Sequence, residues 1–263
     1  MALLLTDSLI DTLHEFRIEM MDRSISGLKA VQHDTAGLAL GGGYARFVGD
    51  GSPLTQAYGI GHRSSHFNLE ELDDFYRGLA TNWELIVTPF SSPELLSAAS
   101  RAGYVPDHFE SVLAQEVGAS MVEMSQGVRI EEVTGDLTVW LQTSDAAWAE
   151  REELQDVTSD LARTLSAMGT RRYMAYLDDQ PAATASMVSI GNRHLFAGAA
   201  TRPQFRNRGL QTALTQRRMA DAGAGSLVQV VALPGSQSHR NLQRIGFQPI
   251  YSKLVMFRNP QRA

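Results

Sequence analysis

The 263-residue chain contains no cysteine. That absence excludes disulfides, a cysteine nucleophile and thiolate zinc sites. Long apolar runs are also missing. Nothing approaches the roughly 20 residues of a membrane helix, and the opening Met-Ala-Leu-Leu-Leu reads as too short for a signal peptide and lacks a basic flank. Both readings fit a cytoplasmic protein with no membrane partner. Positive charge is the minority sign: 23 Lys and Arg stand against 29 Asp and Glu, a formal net charge of −6, which argues against nonspecific nucleic-acid binding. The histidines are scattered, and His62 and His66 lack the intervening glutamate of a zinc-protease helix, so no metal is expected. A Gly-x-Ser-x-Gly elbow is absent. Gly41-Gly42-Gly43 has no following Lys-Ser/Thr and reads as a close-packed or mobile strand entry rather than a phosphate loop.

Against this background one basic cluster stands out: Thr201-Arg-Pro-Gln-Phe-Arg-Asn-Arg-Gly-Leu-Gln-Thr-Ala-Leu214. The small apolar residues 195–201 before it read as a buried strand. Leu210, Ala213, Leu214 and Ala220 after it recur at helical spacing. A tight basic turn opening a helix is an anion site, because the first N–H groups of a helix lack partners and carry partial positive charge. Arg206 and Arg208 add charged donors, and Gly209 allows close backbone approach. Next, residues 226–233 read as a strand, broken by Pro234-Gly235-Ser236. A helix over 237–244 stops at Gly246, and Phe247 and the apolar run 254–257 supply final strands.

Arg206-Asn207-Arg208-Gly209-Leu210-Gln211 resembles motif A of the GNAT superfamily of acyl-CoA-dependent N-acyltransferases, with Gln211 where the family usually has Gly or Ala. The strand, loop and helix ending in Gly246-Phe247 resemble motif B, so the likeness covers roughly residues 126–263. It implies a mixed α/β (α+β) sheet with two strands splayed apart, and acetyl-CoA as cosubstrate. By the same likeness the main chain of Ala199, Ala200 and Thr201 would bond the pantetheine arm. Arg206, Asn207, Arg208, Gly209, Leu210, Gln211 and Thr212 would hold the pyrophosphate, with Asn241 and Arg244 as further cofactor contacts. Many family members carry a tyrosine that protonates the departing thiolate; here that position is Leu242, leaving Tyr251 or Ser238 (with Ser236 nearby) as candidate hydroxyls. The implied activity is direct acetyl transfer to a primary amine, small molecule or peptide, by a monomer or homodimer. A non-catalytic acyl-CoA-binding sensor is the alternative, and a nucleotide-phosphate enzyme is a third reading of the same arginines.

The first half reads as a worn copy of the second. At one constant offset, Arg101-Ala102-Gly103-Tyr104 lies beside Arg244-Ile245-Gly246-Phe247, residues 85–88 beside 228–231, and 93–100 beside 236–243. Arg63 falls opposite Arg206 but His66 opposite Gly209, and Glu70, Glu71, Asp73 and Asp74 would repel a pyrophosphate. The expected organisation is therefore two tandem GNAT-like domains: 1–118 degenerate, 119–127 a linker, 128–263 binding acetyl-CoA. Within it, helices are expected at 3–25, from Asp136 to about 149, and at 154–168. Strands are expected at 38–48, 54–61, 128–134, 171–177, 182–190 and 194–201. Trp140 and Trp148 lie where the family's acceptor pocket is bordered.

Overall fold

A computed structural model describes residues 3–29, 34–118, 127–148 and 168–259. The chain divides into two compact units. One comprises Leu4–Val112 with Ala232–Pro234 and everything from Pro249 onward; the other comprises Leu113–Val231 and Gly235–Gln248, with the first residues of the chain. We call these the N-terminal and C-terminal units.

In the N-terminal unit, α1 (Asp7–Lys29) precedes β1 (Ala36–Leu40), β2 (Gly43–Phe47) and β3 (Gln56–Tyr58). α2 (Leu69–Tyr76), β4 (Trp83–Val87), α3 (Pro93–Arg101) and β5 (Val105–Glu116) follow. The final strand of the chain, β11 (Gln248–Arg258), pairs antiparallel with β4 from Leu254 opposite Val87 to Arg258 opposite Trp83. Strand order is β1-β2-β3-β4-β11-β5. β2 is buried along its whole length because both faces are covered. Ala45 and Phe47 join Leu72 and Tyr76 of α2, Leu95 and Ala99 of α3 and Met256 of β11 in one apolar core. On the other face the alternate residues Tyr44 and Arg46 bond Asp22 and Ser24 of α1.

The C-terminal unit holds β6 (Val128–Val133), α4 (Thr138–Trp148), β7 (Arg171–Leu177), β8 (Gln180–Ile190), β9 (Arg193–Thr201), α5 (Leu210–Ala222), β10 (Leu227–Ala232) and α6 (Gln237–Arg244). Its strand order is β6-β7-β8-β9-β10, an antiparallel meander closed by a parallel β9–β10 pair. The N-terminal unit likewise runs from an antiparallel meander into a parallel β3–β4 pair. Gly103 and Gly246, matched by the sequence offset, both have positive φ after their helices, at 86° and 101°. α4 starts where Asp136 accepts the Thr138 N–H at 2.9 Å, as its sequence position suggested.

Three local expectations change. Residues 38–48 are not one strand: Gly41 and Gly42, at φ 57° and 75°, form a two-residue hairpin turn between β1 and β2, a conformation that glycine adopts without steric cost. Residues 54–61 supply only the three residues of β3, stopped by Gly59 at φ 76°. The two short final strands are a single 11-residue β11. That strand also separates the observed units from the expected limits of 1–118 and 128–263, because residues from Pro249 group with Leu4–Val112. Most of the expected linker (119–126) and nearly all of the helix at 154–168 lie outside the described residues.

Candidate functional site

The C-terminal unit contains a cavity of about 740 Å³ between the ends of β9, α4, α5 and α6. β9 and β10 pair in parallel only from Arg193 to Phe196 and from Leu227 to Val230, while β9 runs on to Thr201. Beyond Phe196, β9 therefore leaves β10 behind, and among the described residues its N–H and C=O groups on that side have no ladder. On the β8 side the register shifts: Thr184 faces Ala200, but Ser186 faces Ala197. β9 thus carries one extra residue at a bulge, with Gly198 at φ 59°.

After Thr201 the chain turns through a short 3-10 segment, Pro203–Phe205, and reaches α5 by way of Asn207 at φ 63° and Gly209 at φ 74°. Gly209 is the N-cap of α5 and supplies no side-chain acceptor, so the helix begins with its first N–H groups uncapped. A Cβ at Gly209 would meet nothing within 4 Å, so its positive φ, rather than crowding in the protein itself, favours glycine here. α5 is pinned at its far end, where Asp221 takes Arg171 at 2.8 Å, Arg217 at 3.2 Å and the Tyr173 hydroxyl at 2.9 Å. Midway along it Arg218 is buried with no carboxylate beside it among the described residues. It donates to the carbonyls of Leu214 and Ser186 and to Thr215, and lies 4.3 Å from the centre of the Phe196 ring. Desolvation lowers its pKa to about 9. A guanidinium resists deprotonation strongly enough that Arg218 stays charged.

Most of the residues expected to bind a cofactor line this one cavity: Ala199 to Thr201, Arg206 to Thr212, and Asn241. Ser238 also lines it; Tyr251 and Arg244 do not. Individual side chains are committed in ways the sequence did not reveal. Arg206 folds back onto the Thr201 carbonyl at 3.3 Å and the Ala147 carbonyl at 3.4 Å. Gln211 donates to Ser238 Oγ at 2.7 Å and accepts from Asn241 Nδ2 at 2.8 Å, tying the start of α5 to α6. Asn241 Oδ1 accepts from Gln237 and Arg244, which leaves Arg244 exposed on the outside of α6.

Tyr251 belongs to the N-terminal unit, where its hydroxyl lies 3.2 Å from that of Tyr58 and its ring meets Phe90 edge-on. Burial and the neighbouring Tyr58 push its pKa well up, opposite to what a proton donor to a thiolate needs. Leu242 is buried. Of the two tryptophans considered, Trp148 lines the cavity, whereas Trp140 packs on Met174 and donates to the Tyr173 carbonyl. Thr184 was missed: it lines the cavity from β8, and only strand register could have placed it there.

The corresponding loop of the N-terminal unit is filled from within. Arg63 and Ser64 adopt φ 49° and 61°, and Ser64 matches Asn207 in the sequence offset. Asp11 of α1 bonds Arg63 at 2.6 Å and His62 at 3.4 Å, and Asp7 reaches Arg63 at 3.2 Å. The Arg63 bond, first among the causes, holds the Asp11 pKa below its usual value. Two carboxylates thus stand where an anion would approach. His14 stacks on His62 with ring centres 3.6 Å apart, and Asn68 caps α2.

No family model matches the sequence, and no curated protein matches it. Solved structures do match. A GCN5-related N-acetyltransferase from Kribbella flavida is 18% identical, with 92% of this chain and 96% of that chain covered, at a TM-score of 0.62. A tandem GNAT protein from the clavulanic acid biosynthesis pathway is 15% identical over 97% of this chain and 96% of that one, at 0.61. A functionally unknown conserved protein from Staphylococcus epidermidis is 12% identical over 88% and 97%, at 0.64. The likeness spans both units, and the architecture is the GNAT fold in tandem.

Proposed function

We propose, from this tandem GNAT fold, that the C-terminal unit transfers an acetyl group from acetyl-CoA directly to a primary amine. One observation carries the reading: a strand edge freed by the parting of β9 from β10 runs into the uncapped start of a helix, and both line one cavity. The N–H groups of Gly209 to Thr212 suit a diphosphate, with Arg208 exposed beside them as a charged donor. The edge of Ala199, Ala200 and Thr201 suits the amide-bearing arm, bonding it as a further strand. The N–H at the Gly198–Ala199 bulge suits polarisation of the thioester carbonyl. Acetyl-CoA supplies the activated acyl group. Among the described residues the cavity lining includes no aspartate, glutamate, histidine or lysine, and in this reading the acceptor amine gives up its proton to water before its lone pair attacks.

Buried Leu242, and a cavity lining that does not include Tyr251, favour a second reading, a non-catalytic acyl-CoA sensor. Two measurements separate the readings. Calorimetric titration with acetyl-CoA should show binding, weakened at least about tenfold by Gly209→Glu, which sets a carboxylate before the helix start. Thiol release with an amine panel then follows turnover, and because the protein has no cysteine, every thiol detected is CoA. No binding by the wild-type chain refutes both readings; binding without amine-dependent release leaves the sensor.

A further inference from the structure

We propose that the Thr184 hydroxyl is a ligand-binding group in the wall of this cavity, donating a hydrogen bond to the carbonyl oxygen of the acyl group being transferred. The inference rests on the acyl-transfer reading above and adds a residue to it. Thr184 is wholly buried, its Oγ1 has no hydrogen-bond partner, and it lines the cavity.

Register fixes which side of the sheet it occupies. Thr184 pairs with Met174 on β7 and Ala200 on β9, so the three share a face. Met174 packs on Trp140 of α4, and the last described residues of that helix, Ala147 and Trp148, line the same cavity. The β8–β9 ladder shifts directly after Thr184, where Gly198 takes its left-handed turn. Ala182, Ala183, Ala185 and Ala200 surround the position in sequence and register and are all buried. They are small and apolar, and none has a side-chain group that could bond the hydroxyl.

A buried hydroxyl without a partner is a liability that valine, of the same shape, would avoid. Threonine there is explained by a partner from outside the chain. A neutral donor set among alanines suits a neutral carbonyl oxygen better than an ion. In the transfer, the amine nitrogen bonds to the carbonyl carbon and the carbon–sulfur bond breaks. Sulfur keeps the electron pair, and the surplus amine proton passes to water. Thr184 stays neutral, and its O–H steadies the oxygen as negative charge gathers on it.

The test is isotope-edited infrared spectroscopy of acetyl-CoA labelled with carbon-13 at the carbonyl, bound to the full chain. The carbonyl band should lie lower in wild type than in Thr184→Val, and Thr184→Ser should restore it. Ser186 Oγ is also buried and unpartnered but does not line the cavity, so Ser186→Ala should leave the band in place. Turnover should fall about 100-fold in Thr184→Val, with affinity for CoA itself unchanged within about twofold. Should Thr184→Val fail to fold, Thr184→Ala against Thr184→Ser carries the comparison. An identical band in wild type and the hydroxyl-free variant overturns the assignment while acyl-CoA binding stands. Failure of wild type to bind acetyl-CoA overturns the acyl-transfer reading beneath it.

Discussion

Glu84 should make the protein lose stability as pH rises toward neutrality. It sits on β4, where desolvation first and the Glu110 carboxylate second raise its pKa from 4.5 to about 7. Lys253 offsets only part of this, because that ammonium is bonded to Glu110 at 2.8 Å. The folded state therefore binds a proton that the unfolded chain releases near 4.5. The stabilising contribution is complete below pH 4.5, declines as pH rises, and is gone above about 7. At about 1.4 kcal/mol per decade the gap caps at about 3.4 kcal/mol. Residual solvent contact and relaxation reduce that, and we expect about 1–2 kcal/mol. Urea unfolding of wild type and Glu84→Gln across pH 4.5 to 8 reads the difference directly. His14, whose pKa burial lowers to about 4, acts oppositely, losing stability as pH falls below 6.5. It is common to both proteins and cancels. The variant should gain on wild type by that amount between the two ends of the range. Parallel curves would show that Glu84 ionises normally and that the buried-carboxylate argument is wrong.

Arg218→Ala should cost about 3 kcal/mol, from lost packing on Phe196 and an abandoned Ser186 carbonyl. Arg218→Met keeps the volume without the desolvated charge and should stay within about 1 kcal/mol of wild type by thermal denaturation; equal damage from both would contradict this. Gln211→Ala, which restores a residue usual at that motif position, should lose about 1 kcal/mol net for two partly exposed hydrogen bonds. Its calorimetric signature would be a lower melting temperature with acetyl-CoA binding retained; loss of binding at unchanged stability would instead make Gln211 a ligand contact.

Local features were readable from the residues. The turn at Asn207 and Gly209, the periodicity of α5, the Asp136 interaction and the Gly246 stop depend on neighbours within a few positions. The repeat was readable because Gly103 and Gly246 solve the same backbone problem at the same offset. Strand partnership was not. Nothing near residue 250 says whether Tyr251 joins a sheet beside Ala199 or beside Tyr58, since ladders are chosen by distant segments. For the same reason Thr184, an ordinary residue in a small-residue strand, acquired interest only through its register with Ala200. The Gln211 clasp likewise needed α6 brought across to α5. The close packing expected at Gly41-Gly42-Gly43 is present, but the hairpin that divides residues 38–48 depends on flanking strand pairing that the glycines alone do not specify.

Assigning β11 to the N-terminal unit has a consequence for synthesis. β4 emerges from the ribosome long before the segment that hydrogen-bonds along Trp83–Val87, so the nascent chain carries an open, aggregation-prone edge until residue 258 has been added. Expression of the first 118 residues alone would freeze that unfinished state. Separated halves should therefore be insoluble unless the closing segment is grafted back or supplied as a peptide.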